Sequence, residues 1–160
     1  MKRFHLIFSV LTIAVCYGFS KPDKRDYALK IEKVNHLQEN GRNKMLVKVT
    51  LTNKTNDTLK YLTMSCSWWD FYRIDNKKVH LDVSYACDKN TPVKLTLAPH
   101  TTTDWLIKLY SDTKQDLPIS NFKLGIMRVK YNQKTNNFSQ LTDIDHPSNM
   151  IWSNVIGWDK

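Results

Sequence analysis

Glycine is scarce in this chain, at 4 in 160 residues. Small closed barrels turn their corners on glycine, so the scarcity favours two packed sheets over a barrel. No apolar run reaches the roughly 20 residues that a permanent membrane helix needs. Familiar catalytic signatures are absent as well. There is no G-x-S-x-G elbow, no H-E-x-x-H helix, no phosphate-cradling glycine loop and no dinucleotide fingerprint. Cysteine is limited to 3, with neither a C-x-x-C redox motif nor a zinc spacing. These absences point to a non-enzymatic protein with no cofactor and no resident metal.

The N-terminus is more telling. Met1-Lys2-Arg3 is a basic start, Leu6 to Val15 is almost wholly apolar, and Gly18-Phe19-Ser20 sets small residues where a signal peptidase reads. That is the layout of an export signal. It divides the chain into a leader, residues 1–20, and a single domain, residues 21–160, destined for the periplasm or the exterior. A second processing route competes. Ile13-Ala14-Val15-Cys16 resembles a bacterial lipoprotein box, departing from it at Val15, where Gly, Ala or Ser is expected. Acylation of Cys16 would tether the domain to a membrane, and only that route makes a membrane its partner.

Removal of the leader leaves Cys66 and Cys87. An exported protein with two cysteines usually pairs them; two free thiols are the alternative. The whole chain carries 24 Lys+Arg against 15 Asp+Glu, a net +9. A basic surface attracts nucleic acid, anionic lipid or acidic polysaccharide. Here the basic residues are spread singly or in pairs such as Lys77-Lys78, which describes a solvated face as well as a binding one. Export removes nucleic acid from the partners.

The rest reads as strands separated by turns. Leu29 and Ile31 mark a strand near Ala28 to Val34, and Glu39-Asn40-Gly41-Arg42 is a turn. Met45, Val47, Val49 and Leu51 then alternate with polar residues in the cleanest period-2 run of the chain. Leu59 to Cys66 is apolar on both faces, which suits a central strand. Ser67 to Tyr72 continues as strand. Further runs centre on Val79 to Val83, Val93 to Leu97, Trp105 to Leu109 and Phe122 to Tyr131, with a last strand within Ile151 to Trp158. About eight short, evenly spaced strands and no amphipathic helix predict an all-β fold, an antiparallel two-sheet immunoglobulin-like sandwich.

A resemblance supports that class. The stretch Val47 to Leu62, in which a strand ends at Asn53-Lys54-Thr55 and the next begins within a few residues, resembles the signature hairpin of small exported bacterial immunoglobulin-like domains. Leu95-Thr96-Leu97-Ala98-Pro99-His100, followed by Thr101 to Leu109, resembles their later strand turn. Proteinase-inhibitor-like and FxLYD-type families share the pattern. Cys66 to Tyr72, with Cys87-Asp88-Lys89-Asn90, is similar to uncharacterised secreted proteins of Bacteroidetes-type bacteria. The resemblance implies a fold and a lineage and carries over no site.

Candidate sites are few. His36, His80, His100 and His146 are scattered, and three lie in or beside turns. Asp143-Ile144-Asp145-His146 offers metal-ligand atoms but lacks the glycine turn and terminal glutamate of a calcium loop, so a polar loop is expected there. Asn53-Lys54-Thr55, Asn56-Asp57-Thr58 and Asn137-Phe138-Ser139 match the glycosylation acceptor pattern. In a bacterial chain they are turn residues chosen for side-chain to backbone hydrogen bonds. The strongest candidate is Trp68-Trp69-Asp70-Phe71-Tyr72. On a strand, Trp68 and Tyr72 face one way and Trp69 and Phe71 the other. One pair packs in the core beside the disulfide, and the other faces outward, unless the C-terminal tail with Trp152 and Trp158 covers it.

These residues suggest a binding module for a protein or cell-envelope component, using Trp68, Trp69, Phe71 and Tyr72 with Lys77 and Lys78 as a basic rim. A carbohydrate-binding domain stacking sugars on the same aromatics is the alternative. A proteinase inhibitor presenting the loop Cys87 to Pro92 is a third reading.

Overall fold

The structure, a computed structural model, is described for residues 26–83, 87–111, 121–129, 131–132, 134–135, 137–138 and 149–158. The leader with Cys16, Ser139, and Asp143, Asp145 and His146 lie outside the described residues.

Alternation in the sequence becomes burial in the fold. Met45, Val47, Val49 and Leu51 of β2 (Arg42–Asn53) are all fully buried. β1 (Tyr27–Glu39) pairs with β2 through a two-residue turn in which Asn40 and Gly41 both take positive φ, 55° and 72°. That left-handed pair matches the right-handed twist of the flanking strands. A bulge between Lys33 and Asn35 pushes Val34 out to 53% exposure. β1 therefore runs further than the sequence alone suggests.

β2 also pairs with β7 (Thr102–Ser111), which pairs with the short β5 (Val79–Leu81). The second sheet has β8 (Leu124–Met127) between β11 (Met150–Trp152) and β4 (Tyr72–Ile74). The strand orders are thus β1-β2-β7-β5 and β11-β8-β4. They correspond to the A-B-E-D and G-F-C sheets of an immunoglobulin constant-type sandwich. β3 (Leu59–Met64) and β6 (Pro92–Leu97) form a separate two-stranded ribbon, as do β9 (Tyr131–Asn132) and β10 (Asn137–Phe138). Every pairing is antiparallel. Among the described residues there is no α-helix.

One apolar core joins the sheets. Leu29, Ile31, Val47, Val49, Ile107 and Leu109 from the first meet Leu124 and Ile126 from the second, with Phe122 and Trp158 from the segments beside it. A smaller cluster gathers Leu62, Phe71, Met127 and Val129. Gly125 sits in mid-β8 because a Cβ there would run into the Met150 methyl and lie 2.9 Å from the Trp152 ring.

The C-terminal stretch does more than add a strand. Ile156 bridges Phe122, and Asn154 turns its side-chain amide onto the outer edge of β1. Ile31 N donates to Asn154 Oδ1 at 2.8 Å, and Asn154 Nδ2 donates to the Ile31 carbonyl at 3.1 Å.

Two expectations need correction. Ser67 to Tyr72 is not a strand: Trp68–Phe71 is a 3-10 turn, η1, and only Tyr72–Ile74 is extended. The run from Phe122 to Tyr131 is not one strand: it is extended at Leu124–Met127 and again from Tyr131 in β9, and Phe122 makes an isolated bridge to Ile156.

Candidate functional site

The site is built on a fork. β6 and β7 are joined by a tight turn in which His100 takes a φ of 54° and the Thr101 hydroxyl donates to the Ala98 carbonyl at 2.8 Å. Strands joined so closely would ordinarily pair. These do not: β6 pairs with β3 and β7 with β2.

Asn53, fully buried, stands in the angle of the fork. Its Nδ2 donates to the carbonyls of Asp57 (2.8 Å), Leu97 (3.1 Å) and Ala98 (3.0 Å). Its Oδ1 accepts from the Thr55 N–H at 3.0 Å and the Thr55 hydroxyl at 2.8 Å. Its backbone N–H reaches the Thr101 carbonyl at 3.0 Å. Asn53 is a turn residue of the expected kind, and every polar atom of its amide is engaged. His100 Nε2 and Asn56 Oδ1, 2.8 Å apart, tie the two turns together.

Where β6 and β7 diverge they leave a cleft of about 580 Å³. Tyr61 and Thr63 of β3, Leu95 and Thr96 of β6, and Thr103 to Ile107 of β7 form its sides. Trp68, Phe71 and Tyr72 close it, with Ile126. The volume falls within the range of small-ligand and side-chain pockets, roughly 300–1,000 Å³.

The η1 turn explains how the aromatic run contributes. Asp70 N donates to the Ser67 carbonyl at 3.0 Å, the i to i+3 bond of a 3-10 turn. The turn sends Phe71 into the core at 5% exposure and leaves Trp68 and Tyr72 edge-to-face, 5.2 Å between centroids. Trp69 leans on Trp68 at 6.0 Å. The entry to the turn is clamped. Cys66 and Cys87 are disulfide-bonded with Cα atoms 5.9 Å apart. Asn90 Oδ1 accepts from the N–H groups of Cys66 (3.2 Å) and Ser67 (3.3 Å), and Asn90 Nδ2 donates to the Ser67 hydroxyl at 2.8 Å. The disulfide is not the inter-sheet core bond of antibody domains. It fastens the chain after β3 to the chain before β6.

Beside the cleft Trp105 Nε1 is buried and, among the described residues, makes no hydrogen bond. Burial, with a smaller contribution from nearby Tyr61, pushes the Tyr72 hydroxyl far above the usual phenol range. Trp105 opposes that rise slightly. Burial raises Tyr61 too. Both phenols stay protonated at neutral pH.

Of the residues singled out from sequence, Trp68, Phe71 and Tyr72 line the cleft and Trp69 supports them from behind. Lys77 and Lys78 do not line it. They are exposed in the turn between β4 and β5, where Asn76 Oδ1 accepts from the Lys78 N–H at 3.0 Å. Trp158 packs on Phe122 and His36, and Trp152 on Gly125. Sequence reasoning missed Tyr61, Leu95 and Trp105. Trp105 alternates with Ile107 and Leu109, so periodicity marked it only as a core residue. Among the described residues no three His, Cys, Asp or Glu side chains converge on a common point. No protein-family model, no curated protein and no solved structure matches this chain.

Proposed function

We propose that the mature chain is an exported, non-enzymatic binding module that takes a protein or cell-envelope component into the cleft between β6 and β7. One observation carries this reading: a cleft of about 580 Å³ is walled by the aromatic side chains Tyr61, Trp68, Phe71, Tyr72 and Trp105. A ligand that fills it would cover Trp68 and Tyr72, and burial of aromatic surface is a large favourable term in association. Export fits the Cys66–Cys87 bond, which persists in an oxidising compartment. Cleavage after Ser20 gives a free domain, and acylation at Cys16 gives a tethered one. The intact mass of the native protein from membrane and soluble fractions distinguishes them.

The test is tryptophan fluorescence during titration with fractionated envelope proteins and, separately, a glycan panel. Binding should change the emission and should be lost in Trp68→Ala. A response only to glycans would make the domain a carbohydrate binder. A Trp68→Ala protein that is folded and binds as before would remove the cleft from the function.

A proteinase inhibitor is the second reading, favoured by one feature. Cys87 to Pro92 is exposed throughout and pinned by the disulfide and by Asn90. Absence of inhibition of secreted proteases at micromolar concentration would remove it.

A further inference from the structure

Two clamps, one covalent and one not, hold the entry to η1. The covalent one is Cys66–Cys87, whose loop encloses η1, β4 and β5. The other is a set of hydrogen bonds between the same two stretches of chain. Ser65 N donates to the Thr91 carbonyl at 2.9 Å, and Thr91 N donates to Ser65 Oγ at 3.0 Å. Beside them the Asn90 amide engages Cys66 N, Ser67 N and the Ser67 hydroxyl. The turn receives no side-chain hydrogen bond from its own N-cap, Ser67. Its position therefore depends on these two clamps, and the next residue is Trp68, a wall of the cleft.

The two half-cystines are not equivalent. Cys66 is buried, at 8% exposure, whereas Cys87 opens the stretch Cys87 to Pro92, in which every residue is exposed. An incoming thiolate meets Cys87 first, and exposed disulfides are the readily exchanged ones. The buried sulfur has polar neighbours in place. The Lys89 carbonyl lies 3.2 Å from Cys66 Sγ, and the Ser65 hydroxyl 3.7 Å. A thiol at Cys66 would donate to that carbonyl, so breaking the bond strands no polar group there. The hydrogen bonds of Ser65, Thr91 and Asn90 use backbone, hydroxyl and amide groups and outlast the break. Reduction then turns a permanent hold on the turn into one that opens and closes.

We propose that Cys66–Cys87 is a redox switch on the cleft: a dithiol of a partner protein reduces it through Cys87, and the Trp68 wall is released while the sandwich stays folded. The partner's thiolate attacks Cys87 Sγ, the Cys66–Cys87 bond breaks, and Cys66 leaves as a thiolate that takes up a proton. The partner's second thiolate attacks its own sulfur in the mixed disulfide and frees Cys87, which is protonated in turn. Two electrons and two protons pass to the domain, and the partner is left as a disulfide. The element biased is η1, and what moves with it is the aromatic wall. A ligand that needs Trp68 in place would bind the oxidised form more tightly. This inference rests on the cleft being the binding site and adds what controls it.

Reduced glutathione added to the oxidised mature protein, then acid quenching and peptide mapping, locates the sulfur attacked first. The mixed disulfide should sit on Cys87. Amide hydrogen exchange is then compared before and after reduction with dithiothreitol, with no ligand present. Protection at Cys66, Ser67 and Asp70 should fall at least about tenfold further than at Val47 and Val49 of β2. The far-ultraviolet circular dichroism should persist, and oxidised glutathione should restore the protection. Asn90→Ala separates the two clamps. In the oxidised variant the Asp70 amide should stay protected, and in the reduced variant it should exchange freely. Should Asn90→Ala fail to fold, reduction of the parent protein decides alone. A mixed disulfide on Cys66, resistance to millimolar dithiothreitol, equal loss of protection at all these amides, or unfolding on reduction would each overturn the switch and leave the bond as a staple of the whole fold. None of these results touches the cleft reading, which falls on the Trp68→Ala titration.

Discussion

Asn53 Nδ2 holds the Leu97 carbonyl at 3.1 Å, 44 residues away in the chain, at the point where β6 and β7 part. Asn53→Ala would remove one hydrogen bond from each of the Leu97, Ala98 and Asp57 carbonyls and one each from the Thr55 N–H and hydroxyl. The expected loss of stability is about 2–4 kcal/mol, as lost bonds to buried groups add up. Urea unfolding of the oxidised protein measures it. Asn53→Asp should be no better, because a carboxylate would face three carbonyls.

Gly125→Ala should destabilise the domain by about 1–3 kcal/mol, the usual range for overpacking. The added methyl meets the Met150 side chain and the Trp152 ring. The flexible end of Met150 can yield, but the indole cannot shift without disturbing β11. Thermal unfolding of the variant checks this, and an unchanged midpoint would mean that Trp152 relocates.

A buried lysine makes stability depend on pH at both extremes. Lys44 Nζ contacts Glu39 and Asp82, each at 2.7 Å. The hydrogen bond from Lys44, then the charge of Lys108, holds the Glu39 carboxyl below its ordinary value. Its contribution is complete above about pH 4.5 and is lost as pH falls through the lower folded value. Lys44 is raised by its hydrogen bonds to Asp82 and Glu39. That contribution is complete below about pH 10.4 and is lost as pH rises through the higher folded value. Glu39→Gln should flatten the acid limb of a stability–pH curve. An acid limb identical to the parent's would exclude Glu39 as its source.

Reduction of Cys66–Cys87, or the double substitution to Ser, should destabilise the fold by roughly 3 kcal/mol, the chain-entropy value for a loop of this length. The closed loop has a sequence separation of 21 and contains η1, β4 and β5. Loss of the bond should loosen Trp68 first, which a red shift in tryptophan emission ahead of global unfolding would report.

The sandwich was legible because Met45, Val47, Val49 and Leu51 alternate without interruption, and because Asn40-Gly41 supplies the two left-handed residues its hairpin requires. The aromatic run was legible as important and misread as a strand. Trp, Phe and Tyr have strong strand preference, and nothing local announces the Asp70 to Ser67 bond that curls it. Tyr61, Leu95 and Trp105 were not legible as a site at all. They come from three strands, and only the refusal of β6 to pair with β7 brings them to one cleft. That refusal is written in Asn53, whose motif the sequence offered as a turn.

Asn154 leaves the opposite side of the sheet in a different condition. Its amide occupies the main-chain groups of Ile31, and the bulge at Lys33–Asn35 interrupts the edge just beyond. Covered and kinked edges resist stacking against another chain. A sheet blunted in this way along β1 offers a second copy no continuous ladder there. Copies of this domain should therefore not extend into fibrous assemblies through β1.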